Sequence, residues 1–273
     1  MIRFLLIVLL FGFQNSTDDR STFESWLKDG LQKKQAGASV VDLIEFYAQK
    51  QLGIPYVGGL LEVPKSESLV VTLEGSDCVL FVEYSLALTL TTLQNSISFD
   101  DLSQHVALLR YQRGVVDGYA SRLHYFSDWL YTNQQKELIS VLHQTDNTLP
   151  RLDPVQFMSA NRSAYRQLSE SDSLFTLIRS REDYLKNRPL RYIPQERIPE
   201  FEKSFQTGDI LSFVSTINGL DIAHTALIVR EGDRVGFYHA STTGQVIKDP
   251  KTVYQYTRDR RNVNGIIVAR MNG

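Results

Sequence analysis

Hydrophobic and polar positions alternate in three different ways along the chain. Residues 4–13 (FLLIVLLFGF) are apolar without interruption, and Gln14 to Asp19 that follow are polar. Residues 21–35 and 39–52 carry apolar positions at helical spacing. In the second, Ser39 with Asp42 predicts a capping box, Leu43, Phe46, Tyr47 and Lys50 continue the 3.6 period, and Gly53 with Pro55 stops it. A short β-type run at 68–73 (SLVVTL) precedes Gly75-Ser76-Asp77, after which a long apolar helix runs from Cys78 to about Leu93. Asp77 is a good N-cap, so Cys78 falls in the first turn. Residues 98–205 read as mostly helical and polar–aromatic, with one helix over about 161–187. From 207 onward the period becomes two, giving strands at 209–214, 224–229, 234–240, 245–248 and 265–271 and a short helix near 253–258. Helices first and an antiparallel sheet last predict a single α+β domain over 17–273, with 98–205 as a largely helical insertion.

Composition removes several classes of function. The 273 residues carry 29 Lys+Arg against 31 Asp+Glu, a net charge of −2, without the basic excess of a nucleic-acid binder. One cysteine excludes an intrachain disulfide framework and any multi-Cys zinc site. No H-E-x-x-H, G-x-S-x-G, P-loop or G-x-G-x-x-G is present, so no metal, serine-nucleophile or nucleotide signature guides the reading. The apolar run after Arg3 is shorter than the ~20 residues of a membrane span and suits the ~7–15 of a signal-peptide core. Residues 1–16 therefore predict export, to the periplasm or beyond, with no stable membrane span after removal. The lone cysteine then has no disulfide partner in its own chain: it is inert, pairs with another chain, or reacts.

Position alone fits a small core cysteine as well as a reactive one. A helix start offers unpaired N–H groups and a partial positive charge, which stabilise a thiolate or a developing oxyanion. Two of the five histidines, His224 and His239, flank the hairpin turn Glu231-Gly232-Asp233-Arg234. With Gly-Asp as a two-residue turn, His224 faces Ser241 and His239 faces Ala226. The two rings then share a face on diagonal sites about 7–8 Å apart. A turn centred one residue earlier sets them directly opposite; a three-residue loop without a bulge separates them. A histidine backed by a second polar group, brought against a helix-capping cysteine, is a nucleophile–base–orienter arrangement.

Leu52-Gly53-Ile54-Pro55-Tyr56-Val57-Gly58-Gly59, Asp77-Cys78 opening a helix, and His224 and His239 on successive strands resemble the NlpC/P60 superfamily of papain-like cysteine hydrolases. Within it the chain is similar to the DUF1460 family of N-acetylmuramoyl-L-alanine amidase-like proteins. That texture recurs in residues 77–83, 121–129, 157–159, 208–210, 219–224 and 239–241. The resemblance implies a papain-like core in which the cysteine helix packs on the C-terminal sheet. It also implies cleavage of the amide between N-acetylmuramic acid and L-alanine in a peptidoglycan fragment, by Cys78 as nucleophile, His224 as base and His239 as its orienter. No cofactor or metal is implied, and a monomer is expected. Tyr56 is placed by the pattern to line the site. In residues 121–129, Arg122 is expected to pair with a stem-peptide carboxylate and Trp129 to offer a platform, with His124 and Asp128 beside them. The bland reading of that segment, charged residues pairing locally, stays open. So do a γ-D-glutamyl-diamino acid endopeptidase and a non-catalytic wall-binding module.

Overall fold

The computed structural model describes residues 17–273; the export signal expected at 1–16 lies outside the described residues. Five helices form the N-terminal half: α1 (Thr17–Gln35), α2 (Val40–Lys50), α3 (Cys78–Leu93), α4 (Phe99–Arg110) and α5 (Phe126–Gln135). Ser39 caps α2 as its sequence predicts, its hydroxyl accepting from the Asp42 N–H while the Asp42 carboxylate accepts from the Ser39 N–H. The α3 helix is apolar nearly all round, and such a helix is stable only when surrounded. It packs against α1, α2 and α4 on its flanks and against the sheet beneath. Its buried polar side chains are satisfied within the helix or by its neighbours: Thr89 and Thr91 donate to the carbonyls of Ser85 and Ala87, and Glu83 accepts from Arg110.

The strands are β1 (Ile139–Val141), β2 (Ile193–Pro194), β3 (Ile210–Ser215), β4 (Ile222–Glu231), β5 (Arg234–Ala240), β6 (Val246–Lys248) and β7 (Val263–Met271). They form one antiparallel sheet in the order β1-β7-β3-β4-β5-β6, with β2 also on β7. Both faces of the sheet are covered. Tyr238, Ala240, Leu227 and Val229 join the core under the helices. The alternate residues Phe237, Ala226 and Ile228 join a second core with Phe213 and Tyr256 on the far side. The turn between β4 and β5 has Gly232 at φ 60, the left-handed region open to glycine, and Glu231 pairs with Arg234.

Three sequence expectations change. Residues 68–73 form no strand, because side chains take up their backbone groups: Tyr84 OH accepts from the Thr72 N–H and Arg110 donates to the Val70 carbonyl. The helix expected over 161–187 is broken, and its main part, Asp172–Lys186, starts where the Ser171 hydroxyl accepts from the Leu174 N–H. Residues 98–205 are not only helical, since β1 and β2 within them extend the sheet beside β7.

Candidate active site

Asp77 sits in extended backbone before α3, and its Oδ1 accepts from the N–H groups of Val79 (3.0 Å) and Leu80 (2.9 Å). Cys78 is thereby the first helical residue, and its own N–H remains one of the orphan donors of a helix start. The residue is partly exposed. Thr225 Oγ1 donates to the Cys78 carbonyl at 2.6 Å, which fastens the first turn of α3 to β4 at the position next to His224. The protein packed around the sulfur, and then the neighbouring Asp77 carboxylate, push the thiol up to about 11. At neutral pH Cys78 is a thiol.

His224 and His239 meet as the two-residue turn requires. The β4–β5 register (Leu227 opposite Tyr238) sets them on diagonal sites of one face, and His224 Nε2 lies 2.7 Å from His239 Nδ1. Phe213, Phe237 and Tyr256 surround the pair. Burial in this aromatic surround, with the proximity of the second ring, holds His224 down at about 3. Burial likewise lowers His239 to about 4, partly opposed by Asp249. Both rings are neutral in ordinary buffers.

Asp249 is the member that sequence reasoning missed. Its Oδ2 lies 3.2 Å from His239 Nε2, at ion-pair distance though off the line of an ideal hydrogen bond. Its Oδ1 accepts from the Lys251 N–H at 2.8 Å, and its own N–H donates to the Phe237 carbonyl. A carboxylate beside Nε2 favours the proton there. Neutral His239 then presents a lone pair on Nδ1, so His224 must donate from Nε2. The second nitrogen of His224, Nδ1, is left with a lone pair and has no hydrogen-bond partner among the described residues. The signal was available: His239 pairs with Ile247 across β5 and β6, and Asp249 is two residues further on the same side.

Tyr56 is held near the sulfur. Its N–H donates to the Gly244 carbonyl at 2.7 Å, and its backbone bridges Ser76, two residues before Cys78. The half-buried phenol is raised by burial and then by Cys78 and Asp77. Beside the helix start lies a cavity of about 230 Å³, lined by Asp77 and Val79 on either side of Cys78 and by Arg122 and His124. Arg122 reaches it already committed: Nη2 donates to Glu62 at 2.6 Å and Nε lies 3.2 Å from Glu67. Its expected pairing with a stem-peptide carboxylate therefore meets two glutamates already in place. His124 Nε2 is bonded to the Tyr119 carbonyl, and burial lowers the ring to about 3.

The other two expectations are corrected. Trp129 is 1% exposed, stacks on Phe126 and donates from Nε1 to Glu83, so it offers no surface to a ligand. Asp128 is equally buried and ion-paired with Arg181. Among the described residues, no three His, Cys, Asp or Glu side chains converge to hold a metal ion, and no helix is long and apolar enough to cross a membrane.

Comparison with known proteins shows the family and the fold. A family profile described as AmiA-like, N-acetylmuramoyl-L-alanine amidase-like, matches residues 47–266. No curated protein matches the sequence. An N-acetylmuramoyl-L-alanine amidase from Bacteroides uniformis ATCC 8492 is 28% identical, superposes with a TM-score of 0.80, and is matched over 86% of this chain and 100% of its own. A Bacteroides fragilis protein named as a candidate xylanase is also 28% identical, with a TM-score of 0.77 over 82% of this chain and 99% of its own. A DUF1460 protein from Legionella pneumophila str. Philadelphia 1 shares the fold at 18% identity, with a TM-score of 0.66 over 95% of this chain and 97% of its own.

Proposed function

The chain belongs to the AmiA-like family of N-acetylmuramoyl-L-alanine amidase-like proteins, and from that premise we propose that it is an exported cysteine hydrolase of the papain-like NlpC/P60 type. Its reaction is hydrolysis of the amide between the lactyl group of N-acetylmuramic acid and L-alanine in peptidoglycan fragments. The observation that carries the reading is the contact chain Asp249–His239–His224, together with the Thr225 bond that fastens the first turn of α3 to β4 at the residue next to His224.

In this reading His224 Nδ1 removes the Cys78 proton as the sulfur attacks the lactyl carbonyl, because the resting thiol and imidazole are both neutral. The Cys78 N–H, at the positive end of α3, donates to the developing oxyanion. The imidazolium returns the proton to the departing alanine nitrogen and leaves a thioester. Water, deprotonated by the same nitrogen, releases the muramic acid and restores the thiol. His239 keeps His224 in the required tautomer, with Asp249 behind it. Tyr56 closes one side of the sulfur and donates to the substrate. Glycoside hydrolysis, the activity in the name of the B. fragilis neighbour, uses two carboxylates flanking the sugar bond; the carboxylates at the start of α3 are already taken, Asp77 by the Val79 and Leu80 N–H groups and Glu83 by Arg110.

A defined muramoyl tripeptide, digested and analysed by mass spectrometry, tests the proposal. Free N-acetylmuramic acid with intact tripeptide is the expected product pair. A cut between D-glutamate and the diamino acid would instead make the enzyme an endopeptidase, and binding without any product would make it a wall-binding module. Cys78→Ala abolishes turnover, and wild-type activity in that variant would remove the nucleophile from the scheme.

A further inference from the structure

A short helix, Val253–Arg258, joins β6 to β7, and a basic turn follows it. The helix opens with a capping box: the Thr252 hydroxyl accepts from the Gln255 N–H, and the Gln255 side chain accepts from the Thr252 N–H. After it, Asp259 pairs with Lys251. Arg258 lies over the Tyr254 ring, 5.8 Å from its centroid. Arg260 lies instead over Tyr256, with its guanidinium carbon 4.4 Å from the ring centroid. Tyr256 in turn packs against His224 and His239, at 6.4 and 5.7 Å between centroids. The backbone sets this position. The Val263 N–H donates to the Arg260 carbonyl as β7 begins, and Val263 pairs with Ser215 on β3, two residues beyond Phe213, which faces His224.

Arg260 is exposed, and its side chain makes no hydrogen bond or ion pair among the described residues. A guanidinium laid on an aromatic face keeps its N–H edge free, and that edge matches a carboxylate with two parallel bonds. Its charge also reaches the two imidazoles. Burial, then the second ring, then Arg260 lower His224; burial lowers His239 against Asp249, and Arg260 adds to it.

Arg122, the cation expected to meet a stem-peptide carboxylate, is held by Glu62 and Glu67. In the reaction proposed above His224 protonates the alanine nitrogen, so the departing peptide passes His224. The next stem residue, D-glutamate, is joined onward through its side chain and keeps its α-carboxylate free. In an extended chain that carboxylate lies about 7 Å from the alanine nitrogen, at ~3.5 Å per residue. Tyr256 bridges a distance of that order between His224 and Arg260.

We propose that Arg260 is a specificity-determining residue on the leaving-group side, where it takes the free α-carboxylate of the second stem residue and selects acidic stems over amidated ones. The proposal rests on the amidase reading above.

Two probes test it on the full chain: N-acetylmuramoyl-L-alanyl-γ-D-glutamyl-L-lysine, and the same compound with the glutamate α-carboxylate amidated. In the wild type the amidated probe should show a KM about tenfold higher, the low end for a charge-assisted hydrogen bond because the group is exposed. Added NaCl should shrink that ratio. Arg260→Gln should raise KM on the acidic probe and bring the ratio close to one, whereas Arg258→Gln should keep it. A wild-type ratio below about twofold would overturn the assignment, as would an Arg260→Gln enzyme that retains the ratio while both KM values move together, the mark of a merely structural arginine. If neither probe is hydrolysed the amidase reading fails, and calorimetry on Cys78→Ala still decides Arg260. Tighter binding of the acidic probe, lost when Arg260→Gln is added, supports the assignment; equal or absent binding of the two probes overturns it.

Discussion

Replacing Asp249 by asparagine should do more harm than removing the side chain altogether. Asp249 uses Oδ1 to accept from the Lys251 N–H at 2.8 Å and aims Oδ2 at His239 Nε2, 3.2 Å away. In Asp249→Asn the amide oxygen keeps the Lys251 contact, so the NH₂ group turns towards His239. A donor there puts a lone pair on Nε2 and the proton on Nδ1. His239 must then donate to His224 Nε2, and the His224 proton moves to Nδ1, where the base should be. Flipping the amide to restore the order leaves the Lys251 N–H unmet beside a second donor, at about 1–3 kcal/mol, or roughly 5- to 150-fold in rate. Asp249→Ala imposes no tautomer and should cost less. The assay is kcat and KM on a muramoyl dipeptide for the three proteins. The expected order in kcat is wild type above Asp249→Ala above Asp249→Asn, with KM nearly constant and melting temperatures of the two variants similar. An Asp249→Asn enzyme within twofold of wild type, or an alanine variant worse than the asparagine one, refutes the relay.

Three further outcomes follow from the same geometry. With the thiol raised from 9.0 to about 11, the thiolate fraction at pH 7.5 is about 100-fold below that of an unshifted cysteine, so iodoacetamide should alkylate Cys78 slowly and the rate should climb through pH 8–10; a rate plateau below pH 7 would mean a preformed thiolate–imidazolium pair. His224 and His239 titrate lower folded than unfolded, near 3 and 4 instead of 6.5, so the unfolded chain binds their protons first: their contribution to stability is complete above about 6.5 and is lost as pH falls towards 4, and urea midpoints should show a shallower fall in His239→Asn than in wild type. Glu83 is buried between Arg110 and the Trp129 indole, and Glu83→Ala strands the guanidinium, which should lower unfolding free energy by about 3–5 kcal/mol in urea titrations; a loss below 1 kcal/mol contradicts that account.

Local signals were legible in the sequence and long-range partners were not. Ser39 with Asp42, Asp77 before Cys78, and Gly232-Asp233 between two strands each specify a backbone geometry within a few residues, and each forms as expected. The segment 121–129 misled for the opposite reason. Its mixture of Asp128, Trp129 and Arg122 has the texture of a binding groove, but Asp128 meets Arg181 from 53 residues away and Trp129 meets Glu83 from 46. A charged or aromatic residue whose partner is that distant looks unpaired in a linear reading. Residues 68–73 show the same limit for backbone: their β-type side chains predict a strand, and only the folded arrangement brings Tyr84 and Arg110 to their N–H and carbonyl groups.

The helix start itself changes meaning between sequence and structure. Read linearly, Cys78 at the positive end of α3 is a thiolate site, because the dipole end is worth about 0.3–1 kcal/mol to an anion. In the fold an anion is already there: the Asp77 carboxylate takes the Val79 and Leu80 N–H groups, and its charge stands next to the sulfur. The dipole is spent on the cap, and the thiol rises instead of falling. What remains for catalysis is the Cys78 N–H, which suits an oxyanion formed later. In the mechanism proposed above, ionising the sulfur therefore falls to His224, whose ability to accept the proton at Nδ1 depends on which nitrogen of His239 is protonated. In the proposed reaction, control of the nucleophile lies on the far side of the sheet from α3, with Asp249.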